Sequence, residues 1–232
     1  MTIPQELLDL DQQATLSLNG STSLFMDNLM ITVTDTFSWT LPIIVLVYIL
    51  FKNNRLKEAV TILLTIGVMI LVADRICSGY VKPTVARWRP TQDPQIMYLV
   101  DVVNNYRGGR FGFFSGHACN TFCMATFLAL LFHSTKMTVT LYFWAATTTF
   151  TRLYLGVHYL GDVTVGLICG IIIGIGFFLI YARIRQQFGT VHLISSQFTL
   201  SGYHRTDIDR FMTTIFLNYI LVIIISITHG IV

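Results

Sequence analysis

Apolar runs near the length of a membrane span alternate with short polar stretches along most of the chain. A bilayer core takes roughly 20 apolar residues of helix. Runs of that order lie near 36–51, 59–76, 116–132, 139–154, 163–182 and 211–231. The first and fourth are short, so their ends extend by several residues if they span. The last, FMTTIFLNYILVIIISITHGI, is the cleanest. The pattern predicts an all-α fold, a polytopic transmembrane helical bundle of about six spans. The opening stretch, MTIPQELLDLDQQATLSLNG, has no basic head and no apolar core, so it is not a secretory signal. Ile3, Leu7, Leu8 and Leu10 among acids and glutamines predict a short amphipathic helix at the membrane surface. Three segments follow: an interfacial stretch over 1–30, a transmembrane core over 31–182, and a cytoplasmic loop with a final span over 183–232.

Composition supports the membrane reading. The 232 residues are 53% hydrophobic and 12% charged, about half the roughly 25% charge of soluble domains. The net charge of +3 is dispersed and leaves no nucleic-acid footprint. Cys77, Cys119, Cys123 and Cys169 show neither a C-x-x-C pair nor a zinc pattern, and read as small buried side chains.

Lys and Arg in short loops set orientation. KNNRLK (52–57), Lys136, Arg183 and Arg185 fall on one side if the runs alternate, whereas residues 1–35 contain no Lys or Arg. That predicts a cytoplasmic KNNRLK. The N-terminus, 77–115 and 153–162 then face outward, toward the periplasm for a protein of a bacterial inner membrane. The outward loop nevertheless holds Lys82, Arg87, Arg89, Arg107 and Arg110. Against the charge bias, these residues need a task.

Three clusters share that face: Lys82 with Arg89–Pro90, Ser115–Gly116–His117 at a helix entrance, and Arg152 with His158 and Asp162. Singly, each has an ordinary reading as an interfacial anchor, a structural histidine or a helix cap. Jointly they meet the needs of an anion site with acid–base chemistry, and ionisable groups at membrane depth are functional by default. Lys82, Arg89 and Arg152 supply fixed positive charge, and the arginine fork suits phosphate oxygens. Ser115 adds a hydroxyl, and the N–H groups after it open a helix that favours anions. Of two histidines beside a phosphate, one attacks phosphorus and the other protonates the leaving oxygen. His158 and Asp162 share a face if that segment is helical, and an acid on an imidazole fixes its tautomer. His158 is then the nucleophile and His117 the general acid. No acid cluster suited to Mg²⁺ is visible, so no cofactor is expected and the cations themselves neutralise the developing charge.

Lys82–x6–Arg89–Pro90, Ser115–Gly116–His117 and Arg152–x5–His158–x3–Asp162, in this order, resemble the three signature motifs of the type 2 phosphatidic acid phosphatases. These are integral-membrane lipid phosphate phosphatases related to vanadium haloperoxidases. The resemblance implies a helical bundle whose site faces the non-cytoplasmic side and needs no metal. It implies that Lys82, Arg89, Ser115, Gly116 and Arg152 hold phosphate, that His117 protonates the leaving group, and that His158 forms a phosphohistidine supported by Asp162. Two positions depart from the pattern. Phe114 stands where the second motif usually begins with proline, loosening the placement of Ser115, and Thr151 replaces serine while keeping the hydroxyl.

A site at the membrane surface predicts a lipid substrate with a phosphomonoester or diphosphate head. Undecaprenyl diphosphate, phosphatidylglycerol phosphate, phosphatidic acid and lipid A all qualify, and an envelope lipid such as undecaprenyl diphosphate or lipid A is favoured. The loop 91–112 forms the mouth, where Arg107 and Arg110 engage a second phosphate or are ordinary surface charges. Two rivals remain. A haloperoxidase is disfavoured by the apolar spans, and a non-catalytic lipid-phosphate binding or transport protein has no use for His117, His158 and Asp162 together. His133, His192 and His204 read as cytoplasmic histidines, and His229 fits none of the motifs.

Overall fold

The computed structural model describes residues 4–188 and 196–229. Among these residues there are nine α-helices and no strand: α1 Gln5–Leu18, α2 Leu24–Thr34, α3 Thr40–Asn53, α4 Leu56–Asp74, α5 Lys82–Val85, α6 Gly116–Phe132, α7 Thr135–Tyr154, α8 Leu160–Arg185 and α9 Arg205–His229. Four stretches are long and apolar enough to cross a membrane: Thr36–Asn53, Leu56–Val85, Leu160–Arg185 and Arg205–Thr228. Their outer faces carry exposed Leu64, Ile172 and Phe216. A helix apolar all round belongs in lipid or a core, not against water.

The runs expected at 116–132 and 139–154 are α6 and all but the first four residues of α7. α6 is the shorter at 17 residues, and it is almost wholly buried. α7 is longer than its apolar run because it is studded with threonines, whose hydroxyls bond inside the bundle. Thr126 and Tyr142 lie 2.8 Å apart, and Thr121 and Thr149 3.3 Å apart. Carbonyls one turn back also accept from Thr138 and Thr140. Threonine in that role satisfies itself without water.

At the centre α6 lies directly against α8. Gly166, Gly170 and Gly174 recur every fourth residue along α8, and a Cβ on each would come within 2.7 Å of a backbone carbonyl oxygen of Ser115, Cys119 and Cys123. Small residues at this spacing let two helix backbones approach, as in membrane helix pairs. The pair fixes where both helices begin, and both begin at the site.

The far end is tied separately. His133, with φ 49°, ends α6, and Ser201 Oγ donates to Phe132 O. Asp207 accepts from Lys52 at 2.7 Å and from Asn53 at 3.0 Å. His133 and His204 therefore sit away from the Ser115 end of α6. His192 lies outside the described residues, as does Ile3 of the N-terminal stretch, and His229 is the last residue of α9.

Candidate active site

Three chain segments bring their cations to the start of α6. After α4 the helix widens into i→i+5 turns over Arg75–Val81 before resuming at Lys82. Such wide turns recur at functional sites, and this one ends with Lys82 beside Gly116, where an added Cβ would lie 3.8 Å from Nζ. Arg89 follows in extended chain beside a bridge between Trp88 and Phe111. Its Nε donates to Phe111 O at 3.2 Å and its Nη1 to Val157 O at 3.4 Å. The mouth loop closes over it at Gly108, whose φ of +66° and proximity (a Cβ would fall 2.6 Å from Arg89 Nη1) demand glycine. Arg152, in the last turn of α7, is 1% exposed. Its Nη1 donates to Thr34 Oγ1 at 2.7 Å and its Nη2 to Tyr106 Oη at 3.0 Å, while Nε is buried without a partner.

Among the described residues, no carboxylate lies within ion-pair distance of Lys82, Arg89 or Arg152. Burying charge without compensation is expensive. Three cations converging with no acid between them make sense only around an anion.

The anion position is bounded by α6. Ser115 is fully buried, and its hydroxyl accepts from Ala118 N. Its N–H donates to Asp162 O at 2.9 Å, joining the start of α6 to that of α8. Phe114 does not loosen this loop. It is buried against Ala73, Cys77 and Cys119, and its carbonyl accepts from Cys77 Sγ at 3.1 Å. Packing thus supplies what proline's ring supplies elsewhere. His117 is exposed one residue into the helix, within the field of Lys82, Arg89, Arg152 and His158.

His158 and Asp162 do not share a helical face, contrary to the spacing argument. α7 stops at Tyr154, the chain turns at Gly156 with φ +64°, and α8 starts only at Leu160. Asp162 instead reaches back from the third position of α8. Its Oδ2 accepts from Tyr159 N at 3.1 Å, one half of a capping box, and stands 3.5 Å from His158 Nδ1. That approach is longer than a formed hydrogen bond, as catalytic contacts without substrate often are. Burial, then the Arg89, Arg152 and Lys82 charges, hold His158 well below the ordinary imidazole range, against a contribution from the Gly112 backbone. The ring is therefore neutral at neutral pH, with an unprotonated nitrogen to offer.

Lys82, Arg89, Ser115, Gly116, His117, Arg152, His158 and Asp162 thus come together. Arg107 and Arg110 stay on the exposed mouth loop. Arg107 Nη1 donates to Thr91 O, and the Arg110 guanidinium lies 4.5 Å from the Trp88 ring centroid. Sequence reasoning missed Thr34 and Tyr106, which hold Arg152, and Arg87, which bonds Asp162. Only Arg87 left a signal, as a basic residue in the outward loop with no assigned task.

The PAP2 superfamily profile matches residues 58–186, which contain all three clusters. A lipid A 4'-phosphatase of Bacteroides thetaiotaomicron is 40% identical over 176 residues, covering 75% of this chain and 77% of that protein. The lipid A 4'-phosphatase of Porphyromonas gingivalis is 30% identical over 181 residues, or 78% and 77% of the two chains. In fold, the chain is similar to the crystal structure of a transmembrane PAP2-type phosphatidylglycerolphosphate phosphatase from Bacillus subtilis. That match has a TM-score of 0.54 and 19% identity, and covers 79% of this chain and 88% of the other. The protein is an integral-membrane lipid phosphatase, a phosphoric ester hydrolase. The chain belongs to the PAP2 superfamily.

Proposed function

We propose that the enzyme hydrolyses a phosphate monoester on the sugar head group of lipid A, at the periplasmic face of a bacterial inner membrane, through a phosphohistidine. The observation that carries the chemistry is the convergence of Lys82, Arg89 and Arg152, without a carboxylate partner among the described residues, on His117 and His158. The substrate follows from the two lipid A 4'-phosphatases among its relatives. The Lys and Arg of KNNRLK, Arg183 and Arg185, at the opposite end of the bundle, support this face through the bias of basic residues toward the cytoplasm.

In this reading the cations and the α6 N–H groups bind the phosphate oxygens and stabilise the charge that spreads over them in the transition state. His158, with Nδ1 turned to Asp162, attacks phosphorus through Nε2. Desolvation and the surrounding cations hold His117 well below the ordinary imidazole range, and the negative charge of the bound phosphate offsets those cations so that His117 takes up a proton with the substrate. The P–N bond forms as the ester P–O bond breaks, and His117 gives that proton to the departing sugar oxygen. A water then adds to phosphorus, losing its proton to His117. The P–N bond breaks, inorganic phosphate leaves, and both histidines return to their starting states.

The test is phosphate release by detergent-purified protein with EDTA present. Lipid A, undecaprenyl diphosphate, phosphatidylglycerol phosphate and phosphatidic acid are compared, and lipid A is turned over fastest. Preferred turnover of another lipid would overturn the substrate assignment alone. The pH profile is a second test. Because His158 is held below its ordinary range, the acid limb of kcat/KM for this group lies below about pH 6.5, the value of a free imidazole. A limb above that value contradicts a neutral, desolvated nucleophile.

Rim arginines give a third. Arg110→Ala changes the ratio of kcat/KM between doubly and singly phosphorylated lipid heads by several-fold, about 1 kcal/mol for an exposed charge. An unchanged ratio removes Arg110 from head-group recognition.

A further inference from the structure

Arg87 differs from the other site cations in having two carboxylates of its own. Nη1 is 2.9 Å from Asp162 Oδ1 and Nη2 is 2.6 Å from Asp11 Oδ2. The guanidinium also lies over the Tyr159 ring at 4.1 Å. Asp162 is fully buried, Asp11 and Arg87 partly so. Asp11 belongs to α1, which lies outside the residues matched by the superfamily profile. From α1, Asp11 Oδ1 accepts from Gly161 N at 2.8 Å and Thr15 Oγ1 accepts from Leu160 N at 3.0 Å. The first two N–H groups of α8 are thereby taken by side chains of α1. Gly161 is tight against that carboxylate, since a Cβ there would be 3.0 Å from Asp11 Oδ2.

We propose that α1 is a working part of the active site, with Asp11 as a positioning residue that holds Arg87 on Asp162 and so aims the carboxylate at His158. The inference rests on the histidine mechanism proposed above. The chain runs Asp11–Arg87–Asp162–His158, apart from Lys82, Arg89 and Arg152. Asp162 has one oxygen for Arg87 and the other for Tyr159 N and His158. Arg87 occupies the first oxygen and fixes the rotation of the carboxylate about its own axis. Without Asp11 the guanidinium keeps one anchor and can swing toward water, leaving Asp162 buried beside an imperfect partner. A carboxylate free to turn no longer holds one His158 tautomer, which costs turnover and leaves binding intact.

The test uses full-length protein in detergent with whichever lipid of the panel above is turned over fastest. Asp11→Asn keeps the acceptor for Gly161 N and turns an amide NH2 toward Arg87, removing both the charge and the acceptor that hold Nη2. It lowers kcat about 10-fold, within the usual range for outer partners of a reacting histidine. KM stays within a factor of about two, as does the inhibition constant of inorganic phosphate, because the cradle is untouched. Arg87→Gln lowers kcat further, and adding Asp11→Asn to it brings no additional loss, since the two residues act as one unit. Arg87→Lys keeps the charge but cannot bridge both carboxylates, so it shows the same separation of kcat from KM should Asp11→Asn lose the fold. Wild-type kcat in Asp11→Asn, a loss confined to KM or to phosphate inhibition, or additive losses in the double variant would each overturn the proposal. A His158→Ala control separates the two levels. If that variant is inactive while Asp11→Asn matches wild type, only the role of α1 fails, whereas an active His158→Ala protein removes the mechanism beneath both.

Discussion

His158→Ala lowers phosphate release by on the order of 10⁴-fold or more, the scale seen when a nucleophile is removed from a preorganised site. The position offers no replacement. His158 is 1% exposed, so water does not simply take its place in line with phosphorus. His117 stands at the entrance of α6, where the proposed mechanism makes it the general acid and not the nucleophile. Because Lys82, Arg89, Arg152 and the N–H groups of α6 remain, the variant still binds phosphate, and the inhibition constant of inorganic phosphate changes little. Acid-quenched protein incubated with labelled substrate carries acid-labile phosphate in the wild type and none in the variant. His117→Gln behaves differently. It still forms the phosphohistidine, and its deficit shrinks with a substrate whose leaving group departs without a proton, as for a general acid. Labelling that persists in His158→Ala would reassign the nucleophile; equal deficits on good and poor leaving groups would remove the acid role from His117.

How much of this was legible in the sequence depends on whether the information was local. The three clusters are short-range patterns, so Ser115 at a helix start, Arg152 near a helix end and the pairing of His158 with Asp162 could all be placed. The fold class was legible for the same reason, since an outer face in lipid leaves a continuous apolar run. Even so, the His158–Asp162 contact arises differently from the spacing argument. A four-residue offset is helical only where the helix continues, and Gly156 turns the chain between them. α7 was blurred because threonines that satisfy their hydroxyls internally score as polar. The partners of Arg152 and Asp162 were out of reach. Thr34 and Tyr106 lie 118 and 46 residues from Arg152, and Asp11 lies 76 from Arg87. Such pairings are set by how α1, α2 and the mouth loop fold back, and one sequence carries no signal for that. Phe114 shows the converse. The motif position changed, and the need it served was met by packing that only the assembled fold displays.

The second large effect is expected far from any charge. Gly170→Ala on α8 drives a methyl to 2.5 Å from Cys119 O and 3.1 Å from Cys123 N. Both are backbone atoms of α6, so no side-chain rotation relieves the clash and the helices must part. Overpacking of a rigid contact costs about 1–3 kcal/mol. In a chain of this size that lowers the thermal midpoint by very roughly 5–10 °C in a scan of the detergent-solubilised protein. Gly166→Ala adds a second readout. Its methyl would lie 2.6 Å from Ser115 O, so the strain falls on the N-cap of α6, in the proposed phosphate site, and kcat falls along with stability. The control is in the same helix. At Gly176 a Cβ meets nothing within 4 Å, and alanine there is neutral or slightly stabilising, because it removes only glycine's conformational freedom. The contrast between positions 170 and 176 separates close helix contact from a general intolerance of alanine in α8. Equal midpoints for the two variants would mean that the backbones of α6 and α8 do not approach as described, and the placement of Ser115 against Asp162 would lose its structural basis.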